Sequence, residues 1–369
     1  MARTMTKDDR TFSPGLQGVL AGETALSLVD GENGRLLYRG YPIAELVERG
    51  TYASVAELLW TGEWRPDARL PATAAPGPVV DALRLLPRDA LPMDALRTAV
   101  SAWGAIERPE WPPTMEQARA LTAVAPTALA AFGRIRRGLE PIDPDPDLPL
   151  AAAFLHMLSG ERPGDAAARA LDAYFIVAAD HGFNASTFAA RVITSTRSDI
   201  ASSVGGAIGA LKGPIHGGAP TEVVSQLHEI GSADRAEAWI RAALDRHERI
   251  MGFGHRVYRA YDPRAAALRE VASGMSEMAD WLDLAVRVED IALRLLAERY
   301  PDRALKTNVE YYTAAVLQGV KLPPEFYPAT FAIARNAGWT AHAIEQAALD
   351  KIIRPDVRYV GPAERHLPT

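Results

Sequence analysis

The sequence predicts an all-α protein with one minor β-hairpin near its start. Three observations lead there. Long segments rich in Ala, Leu, Arg and Glu carry apolar residues at helical spacing. Strand signals are few. The composition, 48% hydrophobic and 23% charged over 369 residues, is that of a soluble globular chain with enough apolar surface for a core. At roughly 150 residues per domain, that length suggests two or three domains.

The hairpin comes first. Residues 25–30 and 35–38 flank Gly31-Glu32-Asn33-Gly34, a four-residue turn signal. Helical periodicity then predicts helices over 94–106, 117–137, 166–179, 198–211, 221–230, 235–250, 276–300 and 330–353. Proline-rich stretches at 65–78, 108–113, 140–149 and 322–328 separate them. The sharpest, EPIDPDPDLP, reads as one rigid loop.

Charge and cysteine content narrow the function. Lys and Arg total 40 and Asp and Glu 46, a formal net charge of −6, which argues against broad nucleic-acid binding. An anionic ligand must therefore meet a local basic cluster. With no cysteine, disulfides, thiolate metal sites and Cys nucleophiles are all excluded. The first 15 residues have no apolar core of a signal peptide, and no apolar run reaches about 18 residues, so a soluble, cytoplasmic protein is expected.

Five segments carry residues suited to chemistry. In SDIASSVGGAIGALKGPIHGGAP, Ser198 is placed to cap a helix that Gly213-Pro214 stops. His216 then stands before Gly217 and Gly218, where a ligand can approach closely; a His that only bonds a neighbour is the alternative. In IMGFGHRVYRAYDPR, Gly252 and Gly254 flank Phe253 ahead of His255, and Arg256 and Arg259 add charge. Asp262-Pro263 predicts the start of a helix through Val271. Arg264 then falls in a first turn, where a cation opposes the macrodipole; it either holds an anion or lines a solvated basic face.

In LKTNVEYYT, Glu310 lies among Val309, Tyr311 and Tyr312. An apolar setting there would raise its pKa and strengthen it as a base, whereas on an exposed helix it would be ordinary. In the segment from Thr330, helical spacing puts Phe331, Arg335, Trp339 and His342 on one face, with Arg335 stacked, paired or binding an anion. Arg354 ends that helix before Pro355. In DHGFNAST, His181 follows a long helix. The histidines are far apart and neither an HExxH motif nor an Asp-rich loop occurs, so no metal cage is expected. The set suits acid–base chemistry on a substrate with anionic groups.

These blocks resemble the citrate synthase family. The resemblance runs from about Gly15 to Gly361, through GLQGVLAGETALSLVDGENGRLLYRGYPIAEL, DHGFNASTFAARV, GAIGALKGPIHGGAP, GFGHRVYRAYDPRA, NVEYY and ARNAGWTAHAIEQ in the family's order. It implies a citrate-synthase-like fold, with a large helical domain from residues 1–217 and 321–369 and a smaller inserted helical domain from 218–320. It implies condensation of acetyl-CoA with oxaloacetate and water to citrate and CoA. Glu310 would be the base that enolises the thioester, His216 the donor to its oxygen, and His255 the residue polarising the ketone. Arg264, Arg335 and Arg354 would hold the carboxylates of oxaloacetate, with Arg354 supplied by a second subunit, and His181 would also contact it. Gly252, Phe253, Gly254 and Arg259 would belong to the CoA site. The resemblance further implies no cofactor, no metal, a homodimer or larger homo-oligomer, and no nucleic-acid or membrane partner.

The chain departs from the family pattern at three places. Glu310 stands where Asp is most frequent, one methylene longer. Asp356 follows Arg354-Pro355 where a second Arg is common, and Gly182 stands where Glu is frequent. The resemblance leaves two alternatives: a 2-methylcitrate synthase using propionyl-CoA, and a catalytically silent paralogue that binds oxaloacetate or CoA. A metal-dependent lyase is disfavoured by the lack of a ligand cluster.

Overall fold

A computed structural model of the chain describes residues 12–216, 219–254, 258, 260–275, 279–303 and 305–367. The all-α expectation holds: fifteen α-helices and one small sheet are present among the described residues. The hairpin forms as β1 (Ser27–Asp30) and β2 (Arg35–Tyr38), paired antiparallel with Ser27 opposite Tyr38 and Asp30 opposite Arg35. Asp30 closes the turn by accepting from the Asn33 backbone and amide. A short third strand, β3 (Tyr41–Pro42), extends the sheet on β2 and was not expected. Leu36 and Tyr38 point into the core.

Helices follow in order: α1 (Ile43–Arg49), α2 (Tyr52–Thr61), α3 (Gly77–Arg84), α4 (Pro92–Glu107), α5 (Met115–Ile135), α6 (Leu150–Ser159), α7 (Asp165–Ala178), α8 (Ala185–Thr194), α9 (Ile200–Leu211), α10 (Ala219–Ile230), α11 (Ala233–Asp245), α12 (Pro263–Ser273), α13 (Ala279–Arg299), α14 (Val309–Gly319) and α15 (Tyr327–Leu349). The strongly periodic segments are all helical. Their ends shift where capping chemistry decides. Asp199, not Ser198, caps α9, because its carboxylate reaches the Ser202 amide at 2.8 Å. The helix predicted to 250 stops at Asp245, where His247 turns left-handed at φ 60°. The last helix stops at Leu349, because Asp350 takes φ 45°. Arg354 therefore lies beyond the helix in an exposed tail, not at the helix end as expected. Residues 276–278 of the predicted seventh helix lie outside the described residues.

Helix α15 is the axis of the core. It packs against α2, α4, α5, α7, α8 and α9, and Trp339, Arg335 and His342 are all buried along it. It crosses the end of α7 very closely: a Cβ on Gly338 would sit 2.2 Å from the Ala179 carbonyl oxygen. Helices α12 and α14 pack on each other and both touch α7, so residues of the 260s and 300s meet the core beside α15.

Candidate active site

One side of the site is built where α7 ends and α8 begins. Asn184 caps α8, its side-chain oxygen accepting from the Thr187 amide at 3.1 Å. Next to it, the Ser186 backbone N–H donates to His216 Nε2 at 3.3 Å, and Ser186 Oγ lies 3.0 Å from the same nitrogen. The Trp339 indole N–H donates to that Oγ at 3.2 Å. A backbone amide can only donate, so His216 Nε2 is an acceptor and the ring proton sits on Nδ1. Burial, and then the charge of Arg335, push His216 down to about 4. The positive end of α8 acts in the same direction. His216 is thus held as a neutral imidazole.

Arg335 is buried, with its guanidinium 4.7 Å over the Phe331 ring and its Nε donating to the Ala178 carbonyl. Beneath it Asp180 accepts from Ser27 Oγ, from the Gly182 amide at 3.2 Å and from His342 Nε2 at 3.1 Å. Burial pushes Asp180 up, but His342, Arg335 and Ser27 outweigh it and hold the carboxyl at about 2. The other ring nitrogen of His342 accepts from Arg191 at 2.9 Å, and Arg191 also pairs with Glu345. His342 Nε2 faces the Asp180 carboxylate and donates to it.

The other side comes from α12, α14 and the loop 250–254. Asp262 and Pro263 open α12 as anticipated, with the Asp262 carboxylate accepting from the Arg264 amide. The same carboxylate grips the Arg264 guanidinium in a two-point pair at 3.0 and 2.8 Å, and also takes the Val309 N–H at 3.1 Å. Asn308 caps α14 and accepts from the Glu310 amide at 3.1 Å. Glu310 keeps part of its surface open, yet burial pushes its carboxyl up to about 7 against the pull of Arg264 and Arg335. Arg264 and Arg335 also oppose each other's charge, so the two cations, His216 and Glu310 share one small region.

Gly252 and Gly254 are both left-handed, at φ 87° and 81°, and a Cβ on Gly252 would meet Tyr311 at 2.6 Å. The loop pairs with the segment before α14: Phe253 bridges Thr307, Asn308 N–H donates to the Gly252 carbonyl, and Gly254 N–H donates to Lys306. The Gly254 amide is thus used inside the fold. Phe253 is buried 5.2 Å from the Tyr311 ring.

The structure therefore gathers His216, Arg335, Arg264 and Glu310. His181 joins them through Tyr258, whose hydroxyl lies 3.2 Å from His181 Nε2 and whose ring lies 5.7 Å under the Arg264 guanidinium. His255 and Arg259 lie outside the described residues. Arg354 is not brought in. Its neighbour Ile353 is tied to Ser195 at the far end of α8 from Ser186. Nine residues along α8 separate Ser195 from Ser186, a rise of about 13.5 Å. Sequence reading missed Tyr258, Asp180, Asp262 as the partner of Arg264, and His342 as the partner of Asp180. Asp180 beside His181, and His342 on the face with Arg335, were the available signals. Among the described residues no group of three or more His, Cys, Asp or Glu is placed to hold a metal, and no helix is long and apolar enough to cross a membrane.

A neutral His, a raised carboxylate and two buried guanidinium groups are suited to acid–base chemistry on an anionic substrate. Comparison with known proteins names the family. The family model for the citrate synthase C-terminal domain matches residues 15–356. The chain is 39% identical to a citrate synthase of Haloferax volcanii, over 94% of this chain and 95% of the relative. It is 41% identical to a 2-methylcitrate synthase of Mycobacterium tuberculosis, over 98% and 94%. Its structure superposes with TM-score 0.86 and 30% identity on a ternary complex of Thermoplasma acidophilum citrate synthase with carboxymethyl coenzyme A and oxaloacetate, covering 97% of this chain and 98% of that one. The chain belongs to the citrate synthase family, a family of acyltransferases.

Proposed function

We propose that this chain condenses acetyl-CoA with oxaloacetate and water to give citrate and CoA, with 2-methylcitrate formation from propionyl-CoA as the second reading. The observation that supports the first step is Glu310, a carboxylate raised to about 7, which shares the neighbourhood of Arg335 with His216, lowered to about 4. A thioester methyl is a weak acid, and its removal needs a base together with a donor at the developing enolate oxygen. Glu310 takes the proton. His216 Nδ1–H donates to the oxygen without itself ionising, the role a neutral imidazole suits. The enolate carbon then attacks the ketone of oxaloacetate, His255 polarises that ketone, and water releases CoA from the citryl thioester.

Arg264 and Arg335 hold the oxaloacetate carboxylates, which explains why two mutually repelling cations are buried together. His181 lies beside them and contacts the same substrate. The Gly252–Gly254 loop and Arg259 contribute to the CoA site. Arg354 completes the site of a second copy, since in its own chain it is exposed and lies beyond the far end of α8. That reading makes the protein a homodimer or larger homo-oligomer. Residues 218–320 form the small domain, whose closure on the rest brings Arg264 and Glu310 to His216 and Arg335. We assign no cofactor and a cytoplasmic location.

The second reading rests on similar identity to relatives of both names, 39% and 41%. One methylene is worth only about 1–3 kcal/mol in an apolar pocket. Thiol release in the presence of oxaloacetate, with acetyl-CoA against propionyl-CoA, separates the two. The chain has no cysteine, so a thiol reagent sees only liberated CoA. Preference for acetyl-CoA supports the first reading and preference for propionyl-CoA the second. No release with either, with oxaloacetate still bound, makes the chain a silent paralogue.

A further inference from the structure

Glu289 lies on α13, outside the site, and is 1% exposed. Four donors converge on its carboxylate. Thr307 Oγ1 and Tyr261 Oη donate to one oxygen, the latter at 3.2 Å, while Tyr312 Oη and the Arg269 guanidinium, at 3.4 Å, approach the other.

The positions of two of these donors matter. Asn308 is the cap of α14. Thr307 is the residue before the cap, and Tyr312 is the fourth residue of the helix. In many helices an apolar pair at these two positions sets the angle at which the chain enters. Here both positions are tied to one buried carboxylate instead. The residue enclosed by this polar staple is Glu310, at the second helical position. Thr307 also bridges Phe253, and Tyr261 adjoins Asp262, which holds Arg264. One carboxylate therefore links the base to the Arg264 segment and to the glycine loop.

Resting on the reading of Glu310 as base, we infer that Glu289 is a positioning residue for catalysis: through Thr307 and Tyr312 it sets the direction in which α14 presents the Glu310 carboxylate. It touches no substrate. Its effect falls on turnover, because a misplacement of about 1 Å at the reacting atoms costs about 100-fold in rate. Removing the Thr307 and Tyr312 hydroxyls leaves every residue assigned to oxaloacetate in place.

The test uses the full-length double variant Thr307→Val/Tyr312→Phe, with Glu289→Gln as a second variant. Each is measured alone and in a Glu310→Gln background. Thiol release gives kcat and KM, and titration calorimetry gives the oxaloacetate affinity and stoichiometry. The inference predicts a kcat loss of about 10- to 100-fold, with oxaloacetate affinity within about twofold and full binding stoichiometry. In the Glu310→Gln background the same changes remove no further activity. Unchanged kcat overturns the inference, as does a parallel loss of binding stoichiometry, or a rate loss that persists without the Glu310 carboxylate. If Glu289→Gln does not fold, the two hydroxyl deletions decide. A wild-type protein whose rate is itself unaffected by Glu310→Gln instead removes the reading of Glu310 as base.

Discussion

Arg335 and Arg264 are both buried beside Glu310, yet Arg264 has a carboxylate of its own and Arg335 does not. Asp262 meets Arg264 at two points and ties it to the start of α14. Arg335 has one bond to a carbonyl, an aromatic ring beneath it, and Asp180 near enough to act through charge. The two sides of the site follow the same division. On the α12–α14 side, loops and helix starts are clamped by the carboxylates of Asp262 and Glu289 and by the Asn308 cap. On the α7–α8–α15 side, long helices set the geometry, and a buried chain from Glu345 through Arg191 and His342 to Asp180 fills the polar needs between them. Arg264 is thus tied into the fold by a carboxylate, whereas Arg335 has no carboxylate within ion-pair distance among the described residues.

The largest effect expected is on the base. Glu310→Gln keeps the shape and removes the proton acceptor. Thiol release should fall by about 10²- to 10⁴-fold, the usual worth of a positioned base, with oxaloacetate binding by calorimetry retained. A loss below tenfold would remove Glu310 from the chemistry.

The arginines separate the two sides directly. Arg264→Leu leaves Asp262 buried and unpaired, so chemical denaturation should show a loss of about 3–5 kcal/mol alongside lost binding. Arg335→Leu removes a cation whose burial already costs energy. It should change stability by no more than about 1 kcal/mol while oxaloacetate affinity drops roughly 10- to 100-fold, the worth of a charge-assisted contact. Equal stability losses in the two variants would erase the distinction.

A smaller effect tests the helix-built side. Asp180 ionises at about 2, below the usual 3.8. A depressed acid adds stability that is present above its unfolded pKa and lost as pH falls through the folded one. Asp180→Asn should therefore cost about 2 kcal/mol at pH 7, and the gap to wild type should close between about pH 4 and 2. Denaturant midpoints across that range give the answer, and a gap independent of pH would contradict it.

What could be read in advance follows from how each feature is made. Helices with one apolar face, such as α4 and α11, show their period in the sequence. Helix α6, LAAAFLHMLS, is buried on nearly every side and shows no period to read. Helix ends depend on single atoms: Asp199 outcompetes Ser198 as a cap, and Asp350 stops α15 by adopting a left-handed conformation. In the site, His216, Arg264, Glu310 and Arg335 stand in local contexts that hint at chemistry. Asp180 and His342 are 162 residues apart and Glu289 and Tyr312 are 23 apart, so their meaning lies in pairings that only the fold creates.

Burial between the two sides raises the Glu310 carboxyl to about 7 and lowers His216 to about 4. The pH dependence of kcat/KM for the acyl-CoA, at saturating oxaloacetate and from pH 5 to 9, tests it most directly. An acid must lose its proton to act as a base, so the rate should rise tenfold per pH unit below 7 and level off above it. A profile flat from pH 5.5 upward would mean a carboxylate with an ordinary pKa, and would contradict the account.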